Sequence, residues 1–529
     1  MDQSPAFRFA QSGRMNLQQN GRLATSSQLI QALRERLEIE TGQTVTMMET
    51  HISWVLLVGP SAYKAKKPVR FSFVDFSALA SRKHFCEEEV RLNRRLANNL
   101  YLGVVSVCGT PAAPYLGDCA EPLDFAVHMR RFPPGALLGE VTRAGIVTNE
   151  HVDGLAQLLA AFHLNAPVVA PSLDWGSARH IARTMSRVFN DLRAHCDDRR
   201  LEPLLNDFEK QMRPLRSAWS ARRTGGAVRE CHGDLHLDNA VLIDGRIVPF
   251  DCIEFDPALR FIDVMNDTAF LTMDLHAHGR SDLAFRLLDR YLQATGDYSG
   301  LSVLRPYEIY RACVRALVAQ LRQGSGVDEI DYLGCAQRLL QQQNGAARLM
   351  ITHGLSGSGK STVAAQLLES TGAIRVRSDV ERKRMFGLDA RQSSAEQGVD
   401  IYTAAANTRT YDRLAECAAH ALRAGYPVIV DAAFLRRGER SAFQALATEM
   451  QVPFTILHCR AAKDQLRRRV AARSALRDDP SEAGMDVLER QFRDVEPLVE
   501  SERAAALEVD TGVALDIRTL GERWCARSR

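Results

Sequence analysis

The sequence predicts two successive folding units. The first is an α+β unit with a sheet-rich lobe followed by a helical lobe, and the second is an α/β unit built on a parallel sheet. Three observations predict this. Short apolar runs of strand character gather between residues 52 and 129, and the pattern turns mainly helical after Pro133-Pro134-Gly135. A polar stretch, Gln341-Gln342-Gln343-Asn344-Gly345, then interrupts the helical pattern. Beyond it, apolar strands alternate with helical stretches, as crossover-connected parallel strands require.

Each element follows from its local pattern. The first 25 residues are rich in Gln, Ser, Asn and Arg and lack a continuous apolar core, so residues 1–26 read as a disordered tail and not as a secretory signal. Helical periodicity begins near Ser27 with Leu29, Ile30, Leu33 and Leu37. Strand-like runs follow at Ile52–Val58 and Ala62–Val69, then a charged helix at Leu79–Leu96, then strands at Val104–Val107 and Phe125–Met129. Helices are expected at Val152–His163 and Ala178–Arg193, a strand–loop–strand passage at Val228–Asp256, and helices again from Ile262 to about Leu340. The expected divisions are therefore 27–340, a linker at 341–346, and 347–529. In the last of these, strands are expected at Leu349–Thr352, Ala373–Val376, Val428–Val430 and Phe454–Leu457.

Composition narrows the class. Of 529 residues, 46% are hydrophobic and 25% charged, which is ordinary globular usage and excludes a disordered, collagenous or fibrous chain. The net charge of +3 gives no global case for nucleic acid or membrane binding. The Arg-rich tracts lack interleaved aromatics, and no run of 18 apolar residues is present, so neither partner is expected. Eleven cysteines stand singly with no C-x-x-C spacing. That argues against a zinc or dithiol site and fits a reducing, cytoplasmic setting.

Two motifs carry chemistry. Gly354-Leu355-Ser356-Gly357-Ser358-Gly359-Lys360-Ser361 matches G-x-x-x-x-G-K-[ST] at every fixed position, with a strand before it and a helix opening at Thr362. Such glycines let backbone N–H groups turn inward around a phosphate, and the helix N-terminus adds positive potential. Lys360 can reach the β and γ phosphates of ATP, and Ser361 can ligate Mg²⁺. Val428-Ile429-Val430-Asp431 is an apolar strand ending in an acid suited to the same ion. Asp379, after the expected strand Ala373–Val376, can take a proton from an acceptor hydroxyl. Arg469 and Arg473 are i, i+4 neighbours that can clamp phosphates.

The second motif is His232-Gly233-Asp234, with Asn239 five residues after the Asp, the spacing of a kinase catalytic loop. Asp234 is placed to orient and deprotonate an acceptor hydroxyl, and Asn239 to reach a Mg²⁺. A hairpin turning at Asp244-Gly245 delivers Asp251, a second acid for the same metal. Upstream, Ala62-Tyr63-Lys64 offers a phosphate-binding lysine, with Lys66 on the same strand face as a competitor. One of Glu87, Glu88 and Glu89 is expected to pair with it, Glu88 being favoured. The only glycine before Lys64 on that strand pair is Gly59, so the kinase Gly-rich loop is absent. His151 and His163 read as packed or surface residues.

Residues 30–340 resemble the aminoglycoside phosphotransferase family, which has a protein-kinase-like fold. The resemblance rests on Cys231 to Asn239, on Phe250-Asp251-Cys252-Ile253-Glu254-Phe255, and on Asp263, which it implies braces the catalytic loop. Residues 347–529 resemble the small P-loop kinases related to zeta toxins and to gluconate or adenylylsulfate kinases. That resemblance rests on the phosphate loop, Ser378-Asp379 with Arg382, Val430-Asp431, and the Arg-rich stretch at 467–473. Together they imply a cytosolic, ATP- and Mg²⁺-dependent phosphotransferase of two fused kinase-type domains acting on a small hydroxyl compound such as a sugar or aminocyclitol. The alternative is a first half that binds ligand or regulates without catalysing.

Overall fold

The computed structural model describes residues 17–71, 74–321, 330–342, 347–390, 392–394, 396–476 and 480–527. Its first sheet is built from runs whose buried side chains alternate or persist according to what covers them. The strands are β1 (Thr46–Glu49), β2 (Ser53–Val58), β3 (Ser61–Lys66), a two-residue pair β4 (Arg70–Phe71) and β5 (Val74–Asp75), β6 (Tyr101–Thr110), β7 (Ala113–Gly117) and β8 (Asp124–Arg130). Six of them form one sheet in the order β1-β2-β3-β8-β6-β7. β3 stops at Lys66, short of the expected Val69, because Pro68 cannot donate to a ladder.

The helix Leu79–Ala97 packs on this sheet through Cys86 and Val90, against Val55, Ala62 and Val127. The helix Leu17–Thr41 packs through Leu29, Ile30, Leu33 and Leu37, against Trp54, Leu56 and Ala65. This helix begins inside the expected tail: its apolar stripe reaches back to Leu23, which joins the same cluster. Residues 1–16 of that tail lie outside the described residues, as do 343–346 of the expected linker.

Helices follow, with two small sheets between them. β9 (Val228–Glu230) pairs with β12 (Phe261–Asp263), and β10 (Ala240–Ile243) forms a hairpin with β11 (Arg246–Pro249). These hold the passage from residue 228 to 263 in place. Cys108 and Cys119 form a disulfide, which departs from the expectation of single cysteines; an eleven-residue separation carries no sequence signature.

The last five strands are β13 (Arg348–His353), β14 (Ile374–Arg377), β15 (Pro427–Asp431), β16 (Phe454–Arg460) and β17 (Ala506–Asp510). They form an all-parallel sheet in the order β14-β15-β13-β16-β17. The chain steps to one side of β13 and then to the other, so the crevice at the carboxyl ends of β13 and β15 is a topological switch point. β17 escapes the sequence reading because its burial alternates in only five residues.

By internal packing the chain divides into residues 1–278 with 306–337, and residues 279–305 with 338–529. The expected span 27–340 thus includes a segment, 279–305, that packs with the parallel sheet. Its helix Ser281–Thr295 lays Phe285 against the core of Val363, Leu367, Leu457 and Trp524. Gly372, the left-handed cap of the helix Lys360–Thr371 at φ +69°, lies under that ring: a Cβ there would sit 2.7 Å from Phe285 Cζ. Gly372→Ala is expected to destabilise this unit by roughly 1–3 kcal/mol in urea unfolding. The loss should be smaller in a Phe285→Leu chain; an equal loss in both would mean the ring does not constrain this position.

Candidate functional site

In the first unit, β3 and the helix Leu79–Ala97 bring together a chain of buried charges. Lys64 Nζ donates to Asp251 Oδ1 at 2.6 Å and lies 2.8 Å from Glu89 Oε1. Lys66 Nζ lies between Glu89 Oε2 at 2.7 Å and Glu254 Oε1 at 2.5 Å. Both lysines therefore share one face and one carboxylate, and Glu89, not the favoured Glu88, is that carboxylate. Glu88 instead meets Arg91 and Arg260. Glu88 and Glu89 point in different directions from the helix, and Glu89 is the one buried against the sheet.

Lys66 is fully buried, whereas Lys64 keeps some exposure and reaches Asp251. Burial works against the Lys64 ammonium, but Asp251 and Glu89 outweigh it and raise its pKa. Burial would likewise raise the Glu89 carboxyl, yet Lys64 and Lys66 hold it below its ordinary value.

The catalytic-loop motif is braced from behind. Asp267 Oδ2 accepts the His232 backbone N–H at 3.0 Å, and Oδ1 accepts that of Gly233 at 2.9 Å. Its carboxyl is buried, but the imidazole of His163, 3.2 Å away, and His232 depress its pKa to about 2. This corrects the expectation for Asp263. Asp263 instead pairs with Arg222 at 2.6 Å and caps the helix Val264–Ala277 through Met265 N. His163, Cys231 and Asp267 bring potential ligand atoms within 4.8 Å of one another. The Asp267 oxygens are engaged by the two loop amides and His163, so the trio braces the loop, and burial raises the Cys231 thiol.

Asn239 Nδ2 donates to Asp234 Oδ2 at 2.8 Å, and His232 Nε2 lies 2.8 Å from the Phe250 carbonyl. Phe250 N donates to the Asn239 carbonyl at 2.9 Å, so the loop and the strand that delivers Asp251 are stitched together. Asp251 sits at φ +64°, a left-handed conformation costly for a non-glycine residue. Asn239 and Asp251 offer the amide and carboxylate oxygens that a hard divalent cation takes.

A cavity of about 230 Å³, lined by Met48, Leu57, Ala62, Met129, Leu137 and Phe250, opens beside the backbone of residues 130–135. Sequence reasoning missed it, because its walls come from separated segments whose apolar residues read as core.

In the second unit the phosphate loop follows β13. Gly354 admits no side chain: at φ +148°, a Cβ there would lie 2.5 Å from the Cys459 carbonyl. Lys360 Nζ donates to the Leu355 carbonyl at 2.8 Å, and burial lowers its pKa despite Asp431. Ser361 Oγ donates to Asp431 Oδ1 at 3.1 Å. The other Asp431 oxygen is buried with no hydrogen-bond partner, although Arg377 Nε stands 3.6 Å and Arg375 Nη1 4.0 Å from it. A hydroxyl beside an orphaned carboxylate oxygen fits Mg²⁺, with Ser361 and Asp431 as the holding residues.

Around them opens a cavity of about 630 Å³ whose lining includes Ser356, Gly357, Gly359, Thr362, Asp379, Arg469 and Arg473. Arg469 donates to the Gly357 and Thr511 carbonyls, and Arg473 to the Ala483 carbonyl. Asp379 stands in the first turn of the helix Ser378–Met385. One turn on, Arg382 is held by Asn407 Oδ1 at 2.6 Å over the Tyr402 ring, while its buried Nε has no partner. Gln491 Oε1 accepts the Ser356 N–H at 2.8 Å. That contact was not foreseen, since a lone Gln on an exposed amphipathic helix carries no motif. No helix among the described residues is long and apolar enough to cross a membrane.

Residues 349–498 match the family described as AAA domain. Over 450 residues the chain is 32% identical to the uncharacterized protein Rv2004c of Mycobacterium tuberculosis, covering 82% of this chain and 87% of that protein. This chain belongs to the Rv2004c family. The uncharacterized protein Mb2027c of Mycobacterium bovis matches to the same extent. Among solved structures, the Plasmodium vivax ethanolamine kinase Pv091845 is 12% identical with a TM-score of 0.35, covering 56% of this chain and 82% of its own. A gluconokinase from Sinorhizobium meliloti 1021 is 18% identical with a TM-score of 0.26, covering 34% of this chain and 91% of its own.

The buried Glu89 lends the first unit a definite acid response. Its contribution is full above about pH 4.5, the ordinary glutamate value, and is lost as pH falls toward the depressed native value. Glu89→Gln is expected to cost roughly 3–5 kcal/mol at pH 7, because two ammonium groups lose their shared partner. Below pH 4.5 the variant should lose less further stability than wild type; parallel denaturation curves across that range would refute the pairing.

Proposed function

We propose that this member of the Rv2004c family is an ATP-dependent phosphotransferase that passes the γ-phosphate to a hydroxyl of a small metabolite, such as a sugar or aminocyclitol. The observation that carries the reading is the Ser361–Asp431 pair with its orphaned oxygen, opening into the same cavity as Asp379. In that cavity the phosphate-loop amides and Lys360 receive the triphosphate, and Arg469 and Arg473 flank it. Bound Mg²⁺, held by Ser361 and Asp431, supplies charge neutralisation on the phosphate oxygens.

Asp379 accepts the proton of the acceptor hydroxyl as its oxygen bonds to the γ-phosphorus and the bond to the ADP oxygen breaks. The unpartnered Arg382 Nε, one turn from Asp379, favours an acceptor with a hydrogen-bond-accepting group near the reacting hydroxyl. Catalysis of this kind asks the protein mainly for position and charge.

The first unit extends the reading to a second centre, with Lys64 on phosphate, Asn239 and Asp251 on Mg²⁺, and Asp234 as base. The apolar cavity beside residues 130–135 suits a flat base. A second reading, a first unit that binds without catalysing, is favoured by one observation: Asp234 is only 2% exposed, and its carboxylate is occupied by Asn239. A cytoplasmic setting, where ATP and Mg²⁺ are supplied, accords with either reading.

A metabolite-library screen for ATP-dependent phosphorylation tests the proposal on the full chain. Lys360→Ala should abolish transfer by the second centre, and Asp379→Asn should lower its kcat by about 10²–10⁴-fold with nucleotide binding retained. Transfer that survives Lys360→Ala and is lost with Asp234→Ala would locate a reaction in the first unit. If neither change alters any phosphorylation, the phosphotransferase reading fails.

A further inference from the structure

Asp289 lies far upstream of the phosphate loop in sequence, on the helix Ser281–Thr295, yet it belongs to the same packed unit. It is 5% exposed and meets Arg375 of β14, itself 3% exposed, in a two-pronged pair. Arg375 Nε donates to Asp289 Oδ1 at 3.2 Å, and Nη2 donates to Oδ2 at 2.7 Å. Two of the three guanidinium nitrogens are thereby committed.

The third, Nη1, faces the phosphate-loop side. It donates to the Ser361 carbonyl at 3.1 Å and stands 4.0 Å from Asp431 Oδ2, the oxygen without a hydrogen-bond partner, which Arg377 Nε also faces at 3.6 Å. At 4.0 Å a guanidinium adds positive potential without occupying a lone pair. At about 2.9 Å it would take the oxygen that a cation needs. Burial works against the Arg375 charge, and Asp289 with Asp431 outweighs it.

We infer that Asp289 is a positioning residue for the phosphate-loop site: by gripping Arg375 on two nitrogens, it holds that guanidinium back from Asp431 and keeps the Asp431 oxygen open to a divalent cation. It touches neither cation nor nucleotide and acts wholly through Arg375. Removing its charge leaves a buried guanidinium whose nearest available carboxylate is Asp431, so Arg375 moves onto the metal-holding oxygen. This inference rests on the phosphate-loop reading given above.

The test is ATP binding by the full-length chain across a Mg²⁺ titration, and again in EDTA. The Lys360→Ala chain measures the contribution of any other nucleotide site. Asp289→Asn is expected to raise the Mg²⁺ concentration for half-maximal binding at the phosphate loop by about tenfold, with metal-free ATP binding changed less than about twofold. Asp289→Glu, which keeps the charge and advances the pair by one methylene, should shift it in the same direction by less. Adding Arg375→Met to Asp289→Asn should return the Mg²⁺ requirement toward wild type, a rescue that a merely structural pair would not produce.

A folded Asp289→Asn or Asp289→Glu chain with the wild-type Mg²⁺ requirement overturns the inference alone. So does an equal loss of binding with and without Mg²⁺. Wild-type ATP binding that matches the Lys360→Ala chain overturns the phosphate-loop reading itself, and the inference with it.

Discussion

Asp431 ends an all-buried parallel strand, and its charge governs what surrounds it. Pro427 to Val430 are apolar and fully covered, so the carboxylate is carried into the protein by the strand's own hydrophobic burial. A charge in that position needs partners or it forces the strand out. The structure supplies the Ser361 hydroxyl and two guanidinium groups, Arg375 and Arg377, the nearer of which stands 3.6 Å from the second oxygen. None of these closes fully on that oxygen. The sheet order then places the strand beside β13, whose loop carries the glycines and Lys360, so the half-satisfied acid and the anion cradle share one crevice.

The first unit handles buried charge differently. Lys66, Glu89 and Glu254 are almost wholly covered, and the Lys66 ammonium joins the two carboxylates. Lys64 is the member of this chain that leads outward, to the half-exposed Asp251. Behind the loop, Asp267 spends both oxygens on backbone N–H groups, which makes it a fixture that sets where Asp234 and Asn239 stand. In both units buried ion pairs fix position, and a carboxylate, Asp251 in one and Asp431 in the other, stands at the site they frame.

The sequence was most legible where chemistry demands a local pattern. The phosphate loop, Asp431 at its strand end and the Asp234–Asn239–Asp251 spacing are contiguous or nearly so, and backbone geometry ties the residue types to their places. The parallel sheet was legible for the same reason, since fully buried strands announce themselves as apolar runs. What escaped was non-local. Glu89 could not be told from Glu88, because which helix face meets β3 depends on packing and not on spacing. Asp267 is unremarkable in a buried helix until the loop's amides are seen against it. β14 carried a signal that could have been used: Arg375 and Arg377 alternate with apolar residues in a strand buried on both faces, where arginine needs a specific partner.

The segment 279–305 shows why that partner was missed. Sequence order invites a cut at the polar break near 341, and every pattern upstream of it was credited to the first unit. Yet Phe285 covers Gly372, Arg286 meets Glu369 at 2.8 Å, and Asp289 meets Arg375, all within the second unit. The boundary of a fold is set by which apolar face is covered by what, and a chain can deliver that cover from either side of a linker. A fragment beginning after residue 341 would expose the core under Phe285 and strand Arg375 as a buried charge beside the carboxylate it must avoid. Point substitutions in the intact chain, and not excised halves, are therefore the changes whose effects can be assigned to one site.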